Sequence, residues 1–413
     1  MQTWRIKASL FLNYFVFAIL LNSVGTVISL VQSSFFVSKT QASILEPCKD
    51  LSIAVVSFMV TAFIARLGYK RAMLIALGFI SLICFVVPFT NSLLAIQLLF
   101  VAVGSSFALI KMSVYSSVGL VTKEAHEHTS LMNFVESVFG VGIVSSYFIF
   151  SWFVNDANPA STSWLNVYFL LGGISLLAFI LLLGAPLDES AAKSETPFSL
   201  AGDLMSMLRV FMIPLVLVFI LCAFFYVLIE QSIMSWLPTF NKEVLKLDTG
   251  LSIQMASILS AAIALGRFLA GILLKKMSWL KLLLASLLLA AAIILISMPA
   301  ISRFLGRHGN AGSIVHLRDV PLVAFVFPLI GLLLAPIYPA INSVILSSLP
   351  KPKHGFMAGL IIIFSALGGS LGSVITGAIF QHYGGQNAMY FSLAPITILV
   401  VCLVLFRRLQ KKN

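Results

Sequence analysis

Long apolar stretches recur along the whole chain, and short polar segments separate them. A helix that crosses a bilayer needs about 20 predominantly apolar residues, and we find twelve stretches of roughly that length. They lie at 8–31, 42–64, 71–90, 93–118, 129–153, 162–185, 209–239, 250–274, 279–300, 321–348, 355–381 and 387–407. The pattern therefore predicts an all-α membrane protein whose twelve transmembrane helices pass through the lipid bilayer.

One polar segment divides these helices into two groups of six. Residues 186–208 contain proline, serine and charges of both signs. We expect residues 1–185 and 209–413 to form two six-helix halves, with this segment as a cytoplasmic linker. The second helix of each half leads into a basic turn, at 62–73 and at 264–281, and such a correspondence is typical of duplicated transporters.

Composition and charge support a membrane protein and give its orientation. The 413 residues are 60% hydrophobic and 10% charged, with a mean hydropathy of +1.06, which is outside the range of soluble domains. In a soluble protein the net charge of +12 would suggest nucleic acid as a partner. Here, with a cytoplasmic N-terminus, seventeen of the 26 Lys and Arg residues lie inside, six outside and three within helices. The excess of inside charges follows the orientation rule, so we expect both termini in the cytoplasm and no nucleic-acid partner.

The sequence contains no residue pattern typical of a metal site, a nucleotide-binding loop or a catalytic centre. His308 and His316 are eight residues apart with no further ligands nearby, so we expect no metal site. No G-x-x-x-x-G-K-S/T run or nucleophile–base set is visible, so we expect neither a cofactor nor an enzyme. Energy must then come from an ion gradient or from the gradient of the solute. The four cysteines are interpreted as packing residues of predicted helices: Cys48, Cys84, Cys222 and Cys402.

Glu230 is the most informative residue of the chain. It lies in the otherwise uncharged run 224–240 and is followed by Gln231. A carboxylate that faces hydrocarbon costs several kcal/mol, so Glu230 must face a wet cavity or a partner. Two interpretations stay open, a structural hydrogen bond between helices and a proton or substrate site, and we take Glu230 as the first candidate for proton coupling.

The second helix opens with three charges on one face. Glu46, Lys49 and Asp50 are three or four residues apart, a spacing that puts their side chains together. In one interpretation Lys49 pairs with a carboxylate and the cluster lines the outer mouth. In the other, Asp50 or Glu46 handles protons or forms a salt bridge across an outer gate, and Asp50 is an alternate proton carrier.

Lys111 lies near the predicted midplane of the fourth helix. A lysine at that depth is strongly disfavoured unless it is paired, and the candidate partners are Asp50, Glu136 and Glu230. Either Lys111 forms a structural pair with Glu136, or it binds an anionic or hydroxyl-rich solute and tunes a nearby carboxylate. Asn133 and Glu136 share one face of the fifth helix, one turn apart, and Glu136 is the second alternate proton carrier.

The tenth helix contains two prolines three residues apart, Pro336 and Pro339. They leave backbone carbonyls unpaired and bend the helix. The bend is interpreted either as part of a moving gate or as a kink in a packed helix. Tyr338 and Asn342 are four residues apart and share a face. We expect the solute to be contacted near the midplane by Asn22, Lys111, Asn133, Gln231, Tyr338 and Asn342. Gate or structural roles are predicted for Arg66, Lys70, Arg71, Arg267, Pro336 and Pro339.

Two motifs resemble the major facilitator superfamily. The turn after the second helix carries Arg66, Gly68, Lys70 and Arg71, similar to the loop signature in which a glycine and an acid precede R-x-G-R/K-R/K. Here Ala65 stands at the acid position. The seventh helix is similar to the Y-x-x-x-E-x-x-x-x-x-W-L-P pattern of fucose/glucose-type sugar:proton symporters, through Tyr226, Glu230, Trp236, Leu237 and Pro238. The stretch A-P-I-Y-P-A-I at 335–341 looks like the tenth helix of that branch, and TsgA-like proteins are an equally good match.

The resemblance implies a monomeric secondary transporter of twelve helices in two halves, working by alternating access. It implies proton-coupled uptake of a sugar or another small polar or anionic solute across a bacterial inner (cytoplasmic) membrane. The alternative is proton-coupled efflux of a drug-like compound or metabolite. The chain departs from the fucose-permease branch at Lys111, where those proteins have an acid, which leaves the substrate class open.

Overall fold

The computed structural model describes residues 3–61, 64–121, 125–185, 187, 189, 209, 211–274, 276–308, 314–347 and 354–410. Within these ranges the chain is helical and contains no β-strand; Leu247 and Ile314 form an isolated backbone bridge. The N-terminal helices are α1 (Thr3–Asn22), α2 (Val24–Ser34), α3 (Lys39–Ser43), α4 (Leu45–Thr61), α5 (Ile64–Leu67), α6 (Tyr69–Val86), α7 (Leu93–Val121), α8 (Ala125–Trp152) and α9 (Val167–Leu183). The predicted all-α membrane fold is confirmed.

The second part of the chain is also helical over its described residues. Its helices are α10 (Pro214–Met234), α11 (Leu237–Glu243), α12 (Thr249–Leu273), α13 (Trp279–His308), α14 (Leu322–Val326), α15 (Ile330–Leu334), α16 (Ile337–Ser347), α17 (His354–Tyr383), α18 (Gly385–Phe391) and α19 (Leu393–Gln410). Over the described residues, eleven helical stretches are long and apolar enough to cross a membrane. The remaining predicted span corresponds to α4, whose 17 residues are slightly shorter than the others.

Several predicted spans are divided into shorter helices, among them the first and the tenth. The first is divided at Ser23, where the Asn22 amide donates to the Ala18 carbonyl at 2.8 Å and the Ser23 hydroxyl donates to the Leu20 carbonyl at 2.9 Å. Side-chain donors of this kind compete with the backbone ladder. The tenth span is divided between α15 and α16, because Pro336 has no N–H to continue the helix. The proline bend that the sequence predicts is therefore a break in the helix.

The chain forms two compact units, and they do not follow the chain order strictly. The first unit contains Met1–Val24, Cys48–Asn155 and Ala160–Leu200; the second contains Gly25–Pro47, Asp156–Pro159 and Ala201–Asn413. Only residues 187 and 189 of the predicted linker 186–208 lie within the described ranges. The division into 1–185, 186–208 and 209–413 stays a prediction.

Close helix packing in the second unit positions the seventh predicted span. A Cβ added at Gly372 of α17 would lie 2.5 Å from the Leu228 carbonyl oxygen of α10, and one at Gly368 would collide with the Phe224 carbonyl. Small residues allow such backbone approach in membranes. The Trp236 indole N–H also donates to the Ser373 carbonyl at 2.9 Å. Packing on one side of α10 therefore sets which of its residues remain accessible on the other.

Candidate functional site

In the first unit, α7 and α8 bring together a lysine, a tyrosine and a glutamate. Lys111 and Tyr115 lie one turn apart on α7, and Glu136 lies on α8. The Tyr115 hydroxyl donates to Glu136 Oε1 at 2.6 Å. All three side chains are exposed on the unit, although their helices are of spanning length. Ionisable side chains at membrane depth that are exposed in this way require water or a polar ligand.

Aromatic rings surround the Lys111 ammonium. Its Nζ lies 5.9 Å from the ring centroids of both Phe107 and Tyr115, within range of a cation–π interaction. Tyr14 of α1 stacks on Tyr115 at 6.2 Å between centroids and meets Phe139 edge-on at 5.5 Å. The lysine therefore has an apolar wall on one side. Such a mixture of aromatic surface and few polar groups is typical of small-molecule sites.

Lys111 does not form a direct ion pair with the acids that the sequence offers as its partners. Over the described residues Lys111 forms no salt bridge, and its attraction to Glu136 acts over a longer distance. Tyr115 holds the Glu136 carboxylate instead. Asp50 pairs with Lys49 at 3.3 Å, and both of these side chains are nearly buried. The structure therefore brings Lys111 and Glu136 into one cluster and leaves Asp50 in a separate ion pair.

In the second unit, Glu230 belongs to a network of tyrosines. The Tyr226 hydroxyl donates to Glu230 Oε1 at 2.7 Å, one turn away on α10. Tyr338 of α16 stacks on Tyr226, with 5.5 Å between ring centroids and 25° between planes. Tyr338 and Ser365 share a hydrogen bond of 3.1 Å between their hydroxyls. Tyr226 is buried and Glu230 is half-buried, so the carboxylate has a fixed donor on one side and retains accessible surface.

The other predicted solute contacts have distinct surroundings. Asn342 is half-buried, and its Oδ1 is a buried atom that accepts no hydrogen bond from any described residue. The Ser235 hydroxyl donates to the side-chain oxygen Oε1 of Gln231 at 3.4 Å. Asn22 donates to its own helix at Ala18. The side chain of Asn133 lies outside the described residues.

The predicted gate residues lie at a turn, within α12 and at a helix break. Gly68 has a positive φ of 88°, which glycine adopts readily. The Lys70 N–H donates to Glu189 Oε1 at 2.6 Å, and Lys70 Nζ donates to the Ala185 carbonyl at 2.7 Å. Glu189 thus supplies a carboxylate to a turn whose own acid position holds Ala65.

Five further gate residues complete this set. Arg71 is exposed, and the Arg66 side chain lies outside the described residues. Arg267 on α12 is exposed and interacts electrostatically with Tyr226. Pro336 and Pro339 lie at the start of α16, where the Ala340 N–H donates to the Pro336 carbonyl at 3.2 Å as the helix resumes.

Sequence reasoning missed the residues that hold the candidate carboxylates. Tyr115 and Ser235 donate to Glu136 and Glu46 respectively, and Glu189 accepts from Lys70. Tyr115 had a detectable signal, because it lies one turn from Lys111 on the same helix. No group of three or more His, Cys, Asp and Glu side chains that could hold a metal is present in the part of the chain that the structure describes.

The chain is similar to known transporters in sequence pattern and in fold. A family model described as Major Facilitator Superfamily matches residues 10–306. A comparison with curated proteins finds no match. A bacterial homologue of the human lysosomal transporter Spinster, in an inward-facing and unoccupied conformation, has a TM-score of 0.78 at 15% identity, covering 100% of this chain and 98% of its own.

Two sugar-transporter structures share the fold at similar coverage. A D-xylose–proton symporter has a TM-score of 0.76 at 12% identity, covering 98% of this chain and 97% of its own. FucP, a transporter of the same superfamily in the outward conformation, has a TM-score of 0.62 at 17% identity, covering 99% of each chain. Identities this low show the fold alone.

Proposed function

Because the chain belongs to the Major Facilitator Superfamily, we propose that it is a proton-coupled transporter that takes up a sugar or another small polar or anionic solute. The family identifies the chain as a multi-pass membrane transporter of small molecules and not as an enzyme. We further propose the bacterial inner membrane as its location, a monomer as its state, and a cytoplasmic position for both termini, in line with the distribution of basic residues.

The observation that carries the proposal is the position of Glu230. The helical stretch Pro214–Glu243 spans the membrane by length and composition, and Glu230 lies 16 residues from its start (230 − 214) and 13 from its end (243 − 230). At 1.5 Å per residue, the carboxylate is therefore close to the middle of the span. Ionisable groups at that depth mark proton and substrate pathways.

Tyr226 gives Glu230 a way to exchange its proton without losing its position. Its hydroxyl donates to the carboxylate, and such a bond is stronger to the ionised form than to the neutral acid. When Glu230 takes up a proton, this bond weakens and the acid gains a donor of its own. We propose that this change alters the position of Tyr338, which stacks on Tyr226. The side chain of Asn342, four residues further along the helix, would shift with it.

The Lys111 cluster supports a solute with negative or hydroxyl-rich groups. The Lys111 residue is exposed on the unit, its ammonium lies beside Phe107 and Tyr115, and it forms no salt bridge within the described residues. Its charge is then available to an anionic group, while the rings cover an apolar face. We propose Lys111 and Glu136 as solute contacts, with Glu136 as an alternate proton carrier and Asp50 as a weaker alternate because Lys49 already pairs with it.

Proton movement in proteoliposomes tests this function. The purified protein would be reconstituted with a pH-sensitive dye in the lumen and challenged with a panel of sugars and organic acids. One solute should acidify the lumen, and Glu230→Gln should abolish that signal. The matched control is Glu243→Gln, which removes a half-exposed carboxylate on the same span and should retain the signal. Coupling that survives Glu230→Gln unchanged would contradict the assignment of Glu230.

The second candidate function is efflux. The aromatic wall formed by Tyr14, Phe107 and Phe139 beside Lys111 is compatible with a larger apolar compound. In the same vesicles, an imposed proton gradient would then drive the loss of a preloaded hydrophobic compound, and no sugar or acid in the panel would move protons. That pair of results would replace uptake by efflux.

A further inference from the structure

An open cavity lies on the second unit, beside the segment that follows α11 and the turn between α17 and α18. Its volume is about 520 Å³, and it is lined by residues from 243–246, by Ser302 of α13 and by residues 383–387. Cavities that bind small molecules measure about 300–1,000 Å³. The proposed orientation places this end of the helices outside the cell. The cavity is therefore large enough for a small solute and lies on the side from which uptake starts.

Two contacts fix the walls of this cavity. The Ser302 hydroxyl donates to Gln386 Oε1 at 3.0 Å and so joins α13 to α18. A Cβ added at Gly385 would lie 2.5 Å from the Val244 side chain, so the start of α18 packs directly on the segment that follows α11. The cavity thus has its shape before a ligand enters, which lowers the entropy cost of binding.

Lys246 is held at the cavity in an unusual backbone conformation. Its φ is 60°, in the left-handed region that residues other than glycine rarely adopt. The Ile314 N–H donates to the Lys246 carbonyl at 2.7 Å, and the Asp248 N–H donates to the Ile314 carbonyl at 3.0 Å. These two bonds stabilise the turn. Strained residues of this kind are frequent at ligand sites.

Lys246 also carries the charge that the cavity offers to a ligand. The other charged residue of the lining, Glu243, pairs with Lys39 at 3.0 Å through its Oε1. The Lys246 side chain is exposed and forms no salt bridge with any residue that the structure describes. The cavity therefore favours a ligand with a negative charge.

Neighbouring side chains offer hydrogen bonds and an apolar surface. Gln386 uses its Oε1 for Ser302, so both donors of its amide nitrogen remain for a ligand. The Asn387 amide donates to the Tyr383 carbonyl at 2.7 Å, which leaves its Oδ1 as an acceptor. The Tyr383 residue is 71% exposed, so its ring can cover a face of a bound molecule.

We propose that this cavity binds a hydroxylated carboxylate, such as a sugar acid, before the solute enters the transport pathway. Lys246 pairs with the carboxylate, and charge-assisted bonds of this kind are the strong ones. Gln386 and Asn387 bind hydroxyl groups, each of which can both donate and accept. The ring of Tyr383 covers the C–H face of the sugar, as aromatic side chains do in small-molecule sites.

This site is separate from the Glu230 network. Glu243 at the cavity lies 13 residues after Glu230 (243 − 230), which is about 20 Å of helix at 1.5 Å per residue. The inference deepens the proposed function and rests on it for the fate of the bound acid. Binding itself requires neither Glu230 nor a proton gradient.

A solvated surface without a ligand makes a different prediction. Lysine and amide side chains are mostly exposed in any protein, and Arg303 is exposed next to Ser302 on α13. If the region only attracts anions through its basic charge, any small anion binds weakly, and Lys246 and Arg303 contribute alike. Selectivity among ligands and a difference between these two residues therefore separate the two cases.

The test observes the cavity directly in the full-length protein in lipid nanodiscs. 3-Fluorotyrosine is incorporated at position 383, and its fluorine resonance is followed by NMR during titration with D-glucuronate, D-glucose or acetate. Glucuronate should shift the resonance saturably, with a Kd of about 1 mM. Glucose lacks the carboxylate and acetate lacks the hydroxyl groups, so each should bind about tenfold more weakly or less. No saturable shift with glucuronate, or equal affinities for all three, would overturn the proposal.

Replacement of the lysine tests the charge. Lys246→Asn removes the ammonium, and asparagine tolerates a positive φ, so the turn is retained. The Kd for glucuronate should rise by about tenfold, and the Kd for glucose should stay within about twofold. The matched control Arg303→Gln removes a positive charge nearby, outside the lining, and should leave both Kd values unchanged. Equal weakening by the two substitutions would contradict the proposal.

Replacement of the amide tests the hydroxyl contacts. Gln386→Ala should raise the Kd for glucuronate and for glucose alike, by about fivefold, because each loses the same neutral hydrogen bonds. The control is Gln381→Ala, an exposed glutamine before the same turn and outside the lining, which should retain both affinities. An unchanged Kd in Gln386→Ala would show that the amide does not contact the ligand.

The titration also distinguishes failure of this site from failure of the proposed function. Glu230→Gln should lose proton-coupled uptake and keep the same glucuronate titration at position 383. If no solute moves protons in proteoliposomes while glucuronate still binds selectively, the transport proposal fails and the binding site stands. If transport is found and the fluorine resonance does not respond, the site is overturned alone.

Discussion

Each of the two units holds a glutamate by a tyrosine hydroxyl, and the two arrangements differ in exposure. Tyr115 donates to Glu136 at 2.6 Å across two helices, and Tyr226 donates to Glu230 at 2.7 Å within one helix. Tyr115 is 38% exposed, whereas Tyr226 is 1% exposed. The bond lengths are alike, so the difference lies in the surroundings: water can replace the Tyr115 hydroxyl and cannot reach the Tyr226 hydroxyl.

This difference suggests a division of roles. Glu136 attracts the Lys111 ammonium, and both residues are exposed on the unit, an arrangement suited to contacting a solute. Glu230 lies beside stacked tyrosines, where a change of protonation alters a fixed hydrogen bond. We therefore expect substitutions in the first unit to change affinity for the solute, and substitutions around Glu230 to change proton coupling.

The largest effect is expected from exchanging the two acids for amides. Glu230→Gln should lower proton-coupled uptake by about a hundredfold or more, the scale on which a lost proton-transfer group acts. Glu136→Gln should retain coupling and raise the KM for the solute. Solute flux and proton flux measured together in proteoliposomes check both. Loss of coupling in Glu136→Gln alone would exchange the two roles.

The next effect concerns the lysine. Lys111→Met keeps the length of the side chain and removes its charge, so it should raise the KM for an anionic solute by about tenfold, equivalent to about 1.4 kcal/mol. Lys111→Arg should recover part of the affinity, because it restores the charge beside Phe107. Equilibrium binding of radiolabelled solute to the purified protein measures it. Equal affinity for Lys111→Met and the unsubstituted protein would mean that the ammonium does not contact the solute.

Removal of the Tyr226 hydroxyl should lower transport more than removal of the Tyr115 hydroxyl, although both effects are smaller than those of the acid substitutions. Tyr226→Phe removes a buried hydrogen bond to a charged group, which contributes about 1.5–3 kcal/mol, so proton-coupled uptake should fall by about tenfold or more. Tyr115→Phe should change transport by less than about threefold, because water can take the place of its hydroxyl. Initial rates of uptake over a range of pH compare the two variants. Equal losses would show that exposure does not separate the two clusters.

The sequence predicts local features of the candidate site better than distant ones. Tyr226 and Glu230 are four residues apart on one helix, so helical spacing alone brings their side chains together. The contact between Tyr115 and Glu136 depends on how α7 packs on α8, and the sequence separation of the two residues does not predict it. The predicted pairing of Lys111 with Glu136 placed the right residues in one region and missed the tyrosine that holds the carboxylate.

Hydrophobicity alone determined that this chain is a helical membrane protein. In hydrocarbon each backbone polar group must be hydrogen-bonded within its own segment. An apolar stretch that is long enough to span the bilayer therefore forms a helix. The same physics marks Glu230 and Lys111 as exceptional, because each interrupts a long apolar stretch with a charge. Only the tertiary structure decided which distant groups meet: Ser235 reaches Glu46 across 189 positions, and Glu189 reaches Lys70 across 119. Contacts at such separations depend on the packing of whole helices, to which many residues contribute and which no short pattern records.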